Sequence, residues 1–151
     1  MSSLNKEKIG WQFTGDSGEF KLKGADKYNR LYFPLTNEAE MMSAITPILN
    51  GDIKTGQNTY AMEPVSIENL HNNRSARNFW FLINEEKLWS ATGNSAAQNA
   101  KKYSTENDET TTVKAGFLWH KIIRKNKDLK IKSEITNFVP ANDDQVELMQ
   151  V

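Results

Sequence analysis

The sequence predicts an all-β chain, folded as an antiparallel β-sandwich of roughly eight to ten short strands. Three observations lead there. Leu129-Lys130-Ile131-Lys132-Ser133-Glu134-Ile135-Thr136 alternates with period 2, one face apolar and one charged, as a strand half-covered by a core does. Asn78-Phe79-Trp80-Phe81-Leu82-Ile83 is an aromatic, apolar run of strand length. Turn residues interrupt the chain at short intervals, and helical patterning is confined to a few short stretches.

Taken in order, Gly10–Thr14 and Glu19–Lys23 alternate apolar and polar around Gly15-Asp16-Ser17-Gly18, which predicts a hairpin. Arg30–Leu35 reads as a third strand that stops at Pro34. Asn50-Gly51-Asp52 and Thr55-Gly56-Gln57-Asn58 are turn signals, with short strands expected around Ser43–Ile48 and Thr59–Met62. Glu38–Met42 fits a helical turn as an alternative. Pro64–Arg77 is loop-like and polar, with one helical turn fitting Ser66–Leu70. Asn78–Ile83 predicts a strand buried on both faces or at the centre of the sandwich, and Leu88–Thr92 completes a second hairpin. Asn94–Lys102 reads as a short helix and Lys101–Thr112 as an exposed loop. Ala115–Arg124 reads as one strand, followed by a turn at Lys125–Asp128 and the alternating strand at Leu129–Thr136. A second turn at Pro140–Asp144 leads into Val146–Val151, which makes a meander.

Composition narrows the function classes. The 151 residues suit one domain. The 19 Lys and Arg balance 19 Asp and Glu, with 38% apolar residues, which excludes a disordered polyelectrolyte. A net charge of zero gives no reason to expect nucleic acid or an anionic membrane as partner. No apolar run approaches the roughly 20 residues that span a bilayer. Met1–Gly10 has lysines but no apolar stretch after them, so no secretory signal is read and a cytoplasmic location is expected. The chain has no cysteine, which excludes disulfides, thiol catalysis and Cys-based metal sites. His71 and His120 are the only histidines, too few for a multi-His centre, and no cofactor is expected.

No catalytic motif stands out. The glycine-bearing turns lack the lysine of a phosphate loop, and Ser90 lacks the glycines of a nucleophile elbow. Asp143-Asp144 reads as a solvated turn, and Asn73-Arg74-Ser75 as a chance match to a glycosylation sequon. His120, sharing a strand face with Leu118 and Ile122, reads as a core-edge residue with a satisfied hydrogen bond. His71 lies in the polar loop Leu70–Ala76, with Asn72 and Arg74, and loops are where binding residues concentrate. Arg77 stands at the end of that loop, where its planar fork can bind carbonyls or a carboxylate. Of Trp11, Trp80, Trp89 and Trp119, Trp80 reads as core, whereas Trp89, beside a loop, is a candidate to stack on a sugar ring.

Asn72–Gly93, with an arginine before an aromatic strand and a tryptophan after a short turn, resembles the amino-terminal region of glycoside hydrolase family 94. Ala115-Gly116-Phe117-Leu118-Trp119-His120-Lys121-Ile122 is similar to the next family strand, and Asn137-Phe138-Val139-Pro140 with the acidic turn and Val146-Glu147 is similar to the segment after it. Tyr32–Leu35 and Asn50–Asp52 stand where the family has its early strand and turn, so the resemblance runs from about Tyr32 to Val151. It implies the N-terminal β-sandwich of an inverting phosphorylase that splits β-linked glucosides with inorganic phosphate. One carboxylic acid protonates the glycosidic oxygen while phosphate attacks the anomeric carbon from the opposite face. Residues 1–151 are then expected to form a single, incomplete N-terminal domain, inactive alone, ahead of an absent (α/α)6 barrel that carries the catalytic acid. The ending of the chain in the alternating segment Val146–Val151, with no turn after it, agrees with that expectation. The implied partners are an oligosaccharide, inorganic phosphate and, in the full-length enzyme, a second subunit. His71, Asn72, Arg74, Arg77 and Trp89 are the expected sugar-binding or active-site-rim residues. Lys114-Ala115 stands where cellobiose phosphorylases tend to carry Arg-His, which leaves laminaribiose or another β-glucoside open beside cellobiose. A free-standing carbohydrate-binding module and a structural sandwich without ligand are the competing readings.

Overall fold

Period-2 alternation fixes which side of each strand is covered, and the covered sides meet in one core. A computed structural model describes residues 10–28, 31–62 and 75–151. In it the chain is an antiparallel β-sandwich. One sheet has six strands: β1 (Trp11–Phe13), β2 (Phe20–Lys23), then β9 (Glu109–Gly116), β10 (Trp119–Asn126), β11 (Ile131–Phe138) and β12 (Leu148–Gln150), side by side in that order. The second sheet is β3 (Phe33–Thr36), β4 (Met42–Ile45), β5 (Ile53–Gly56) and β6 (Thr59–Met62). A two-stranded ribbon, β7 (Trp80–Ile83) and β8 (Lys87–Ser90), one α-helix, α1 (Ala96–Lys101), and a single 3-10 turn at Ala25–Lys27 complete the regular structure of the described residues.

Register builds the core in rows. Leu22, Val113, Ile122 and Ile135 are cross-strand neighbours on β2, β9, β10 and β11, and all are buried. They belong to the same cluster as Phe33, Leu35 and Ile45 of the second sheet and Trp89 of the ribbon. Each such side chain contributes about 1.5–3 kcal/mol by leaving water. No helix among the described residues is long and apolar enough to cross a membrane.

Several sequence expectations are corrected. The described residues hold twelve strands, more than the eight to ten expected. Ala115–Arg124 is not one strand, because Phe117 and Leu118 form a tight turn with Leu118 at φ +62°. An apolar pair in a left-handed turn carries no turn signal, so the sequence reads through it. Strand β3 does not stop at Pro34 but continues through it, which is tolerated because β3 is an edge strand. Glu38–Met42 forms no helix: Asn37 accepts from the backbone N–H groups of Ala39 and Met41, and β4 starts at Met42. Lys101–Thr112 is not wholly an exposed loop, since β9 begins at Glu109. The ribbon strand β7 is not buried on both faces. Phe81 and Ile83 pack against the core, whereas Trp80 and Leu82 face outward, 45% and 59% exposed. The helical turn considered at Ser66–Leu70 lies outside the described residues.

Candidate functional site

Two arginines organise the interior, and the sequence candidates Arg77 and Trp89 fall one in each network. Arg77 follows residues 75–76, which run antiparallel against 49–51 through the Asn50–Ala76 bridge. The Arg77 N–H donates to the Leu49 carbonyl at 2.9 Å. Its guanidinium then bridges the two sheets. It donates to the Gly51 carbonyl (3.1 Å) and the Ser43 hydroxyl (2.7 Å) on one side. On the other it makes a bidentate pair with Glu147, through Nε and through Nη2 at 2.6 Å. Asn137 on β11 donates to the same carboxylate at 2.8 Å. Arg77 is thus buried and holds the entry to β12 against the second sheet.

His120 lies in the same region, on the inner face of β10, directly opposite Asn137. It shares that face with Ile122 and Arg124, not with Leu118, because the Phe117–Leu118 turn breaks the alternation. It is fully buried with its ring 4.8 Å from that of Phe33. Neither ring nitrogen has a hydrogen-bond partner in the structure, which corrects the expected satisfied core-edge histidine. Burial, and secondarily the Arg77 charge, lower its pKa from 6.5 to about 3.

The second network surrounds Glu109, the first residue of β9. Its carboxylate accepts from Trp89 Nε1 (2.7 Å), Arg124 Nη1 (2.8 Å), Gln98 Nε2 (2.9 and 3.0 Å) and Asn126 Nδ2 (3.1 Å). Burial alone raises such a carboxyl. The Trp89 hydrogen bond, the Arg124 charge and hydrogen bond and the Asn126 hydrogen bond outweigh it and hold Glu109 below its ordinary value. Local sequence positions the donors. Ser95 caps α1 by accepting from the Gln98 N–H at 3.1 Å, and this Ser-Ala-Ala-Gln start brings the Gln98 amide onto Glu109. Arg124 also donates to the Thr92 carbonyl at 3.4 Å and lies 4.0 Å from Asp26. Gly93, at φ +81°, passes so close to the guanidinium that a Cβ there would overlap it.

Trp89 is 4% exposed, with its ring against Phe81 and its N–H given to Glu109. Trp80 and Trp89 therefore exchange the places expected of them. Their neighbours in the ribbon explain this: on one face Phe81 pairs with Trp89, and on the other Trp80 pairs with Ser90. Beside Trp89 lies a cavity of about 190 Å³. Gln98, Lys101, Asn107, Asp108 and Asn126 line it with Trp89 and Glu109. At its rim Asp108 is raised above the ordinary carboxylate value, chiefly by its hydrogen bond with Asp128. The Gln98, Asn107 and Asn126 amides are already bonded within the protein, so the Lys101 ammonium and the Asp108 carboxyl are the lining groups that can exchange hydrogen bonds with a small polyhydroxylated molecule.

His71, Asn72 and Arg74 lie outside the described residues, so the structure brings together only Arg77 and Trp89 of the sequence candidates, in separate networks. Sequence reasoning missed Glu109, Gln98 and Arg124. The Ser95–Gln98 spacing was a usable signal for the second of these, whereas Glu109 sits in a polar stretch that reads as loop. The chain matches no protein-family model, and no curated protein matches it.

Proposed function

We propose that this chain is a non-catalytic, carbohydrate-binding β-sandwich, and that it serves as the N-terminal domain of a longer β-glucoside phosphorylase of the family 94 kind. The observation that carries the carbohydrate reading is the cavity beside Trp89, with the Lys101 ammonium, the Asp108 carboxyl and the exposed Leu88 in its lining. An ammonium that donates and a carboxyl that accepts can meet neighbouring hydroxyls, and a 190 Å³ volume suits one small polar ring better than a polymer. The saturation of Glu109 supports the non-catalytic part of the reading. A carboxylate that accepts from four side chains and is held ionised is a poor proton donor to a glycosidic oxygen. The phosphorylase context rests on the resemblance of Tyr32–Val151, in which the helical barrel supplies the acid and the phosphate site.

The test is titration of residues 1–151 with glucose, cellobiose and laminaribiose, followed by amide chemical shifts. Saturable shifts at Gln98, Lys101 and Asn107, abolished by Lys101→Ala with an unchanged melting temperature, are expected. Absence of shifts there with all three sugars overturns the carbohydrate reading. The phosphorylase context is separable: a reading frame beyond codon 151 that encodes no helical barrel leaves a free-standing module instead.

A further inference from the structure

The outer face of the six-stranded sheet carries an order that the net charge conceals. Register places Gln12, Lys21, Lys114, Lys121, Thr136 and Gln150 in one line across all six strands. These residues lie on the face opposite the Leu22–Val113–Ile122–Ile135 core row, and none is buried. Adjacent strands stand about 4.8 Å apart, so the three ammonium groups are anchored one per strand at that spacing. Like charges directly opposite each other destabilise a sheet. A second lysine pair, Lys125 and Lys132, is also in direct register, and Lys23 adds to the same face. Glu134 is the sole carboxylate that these strands present outward, and it pairs with Lys132 and, at 4.0 Å, with Lys121. Among the described residues, Lys21, Lys23, Lys114 and Lys125 make no ion pair. The Glu134 carboxyl registers this field: the Lys132 hydrogen bond and charge, then Lys121 and Lys114, hold it below its ordinary value.

An aromatic shelf runs beside the line. Gly116, Trp119, Phe138 and Leu148 form the next outward-facing row. The Trp119 indole lies across Gly116, where a Cβ would come within 2.6 Å of Nε1 and 2.9 Å of Cε2. Only a glycine lets that ring lie flat along the sheet.

We propose that this face binds a polyuronic acid, a linear polysaccharide with one carboxylate per sugar, laid across the strands. Its carboxylates meet Lys21, Lys114 and Lys121, its hydroxyls meet Gln12, Thr136 and Gln150, and a sugar face rests on Trp119. Three features favour this occupant over single-stranded nucleic acid. The line ends in amides and a hydroxyl, which serve sugar hydroxyls. The only arginines among the described residues, Arg77 and Arg124, are buried, so the face lacks the forked donor favoured for phosphate. Trp119 stands with the partly covered Phe138 in its row and the exposed Phe117 in the adjoining turn, not with a series of rings along the lysine line on which successive bases stack. One charge per strand also suits a singly charged repeat better than a densely sulfated one. The proposal extends the carbohydrate reading to a second, polymeric ligand on a different face.

The test uses residues 1–151 at low ionic strength, with oligogalacturonate of ten units, oligo-dT, heparin and laminaribiose as separate probes. Oligogalacturonate is expected to bind most tightly among the polyanions and to weaken with salt. The triple variant Lys21→Gln, Lys114→Gln, Lys121→Gln should lose about tenfold in that affinity, at about 0.5 kcal/mol per lysine, and keep its laminaribiose shifts at Asn107. A single Lys114→Glu, at an exposed position, should act in the same direction and guards against a folding defect in the triple variant. Tighter binding of oligo-dT or heparin, or oligogalacturonate binding that the lysine variants leave unchanged, overturns the proposal. Laminaribiose shifts without oligogalacturonate binding overturn it alone, whereas oligogalacturonate binding without laminaribiose shifts overturns the cavity reading alone.

Discussion

The two buried arginines are answered differently: Arg124 meets two carboxylates but leaves its Nε without a partner among the described residues, whereas every guanidinium nitrogen of Arg77 donates a hydrogen bond. Arg124 faces Glu109 and Asp26, and the Glu109 carboxylate is filled by side-chain donors from β8, α1 and β10. Among the described residues, Arg77 faces Glu147 alone among carboxylates, and near it lies His120, whose nitrogens have no partner there. Burial of charge is tolerable where every polar group is met and costly where one is left over. The Arg124 network holds two carboxylates among β8, α1, β9 and β10 and is the more heavily charged centre. The Arg77 network is the weaker seam, at the place where β12, an edge strand, joins the sheet.

The largest effect should come from breaking the network that buries two carboxylates. Arg124→Ala leaves Glu109 and Asp26 buried together without their cation, and should cost about 3–5 kcal/mol. Urea unfolding of the variant measures it, and a loss under 1 kcal/mol would mean that water replaces the guanidinium. Arg77→Ala should cost less, about 2–3 kcal/mol, because Glu147 precedes a three-residue edge strand and can turn to solvent. Amide exchange should speed up in Leu148–Gln150 and stay slow in Val113 and Ile122. Uniform acceleration would erase the contrast between seam and centre.

Acid sharpens the comparison further. His120 binds its proton far more weakly folded than unfolded, with a pKa of about 3 against 6.5. Its contribution is intact above pH 6.5 and is lost as pH falls toward 3, at up to about 1.4 kcal/mol per unit. Glu109 is shifted below its ordinary 4.5, so its contribution is lost only under pH 4.5. Between pH 6.5 and 5 the wild type should therefore lose about 2 kcal/mol, and His120→Phe should flatten that part of the profile. Melting temperatures against pH decide it. A wild-type curve that is level down to pH 5 would show that His120 finds a partner in solution.

Much of the sandwich was legible because alternation survives wherever one face is wet. The β1–β2 hairpin, the helix at Ala96–Lys101 and the strand at Ile131–Phe138 follow from local pattern, to within a few residues. The break at Phe117–Leu118 was not legible, because its residues are apolar and the backbone conformation of Leu118 is imposed by the hairpin. The placement of Trp80 and Trp89 failed for another reason. An apolar run tells that a strand is well covered or meant to be, but not which of its faces the rest of the chain reaches. The candidate site was the least legible part, since Gln98, Glu109 and Arg124 lie on a helix and two strands whose packing no local pattern shows, and polar residues buried by tertiary contacts look like surface.

By itself the sequence determined the all-β class, the absence of thiol chemistry and the alternating faces of the long strands. Those properties are set by composition and by the period of the backbone, which act residue by residue. Only the tertiary structure decided that two arginines lie inside, that His120 stands unpartnered between two sheets, and that a chain of zero net charge gathers six lysines on one face against one glutamate. Burial, pairing and charge segregation depend on register between strands distant in the chain, and register is fixed by the packing of the core row, not by any local stretch.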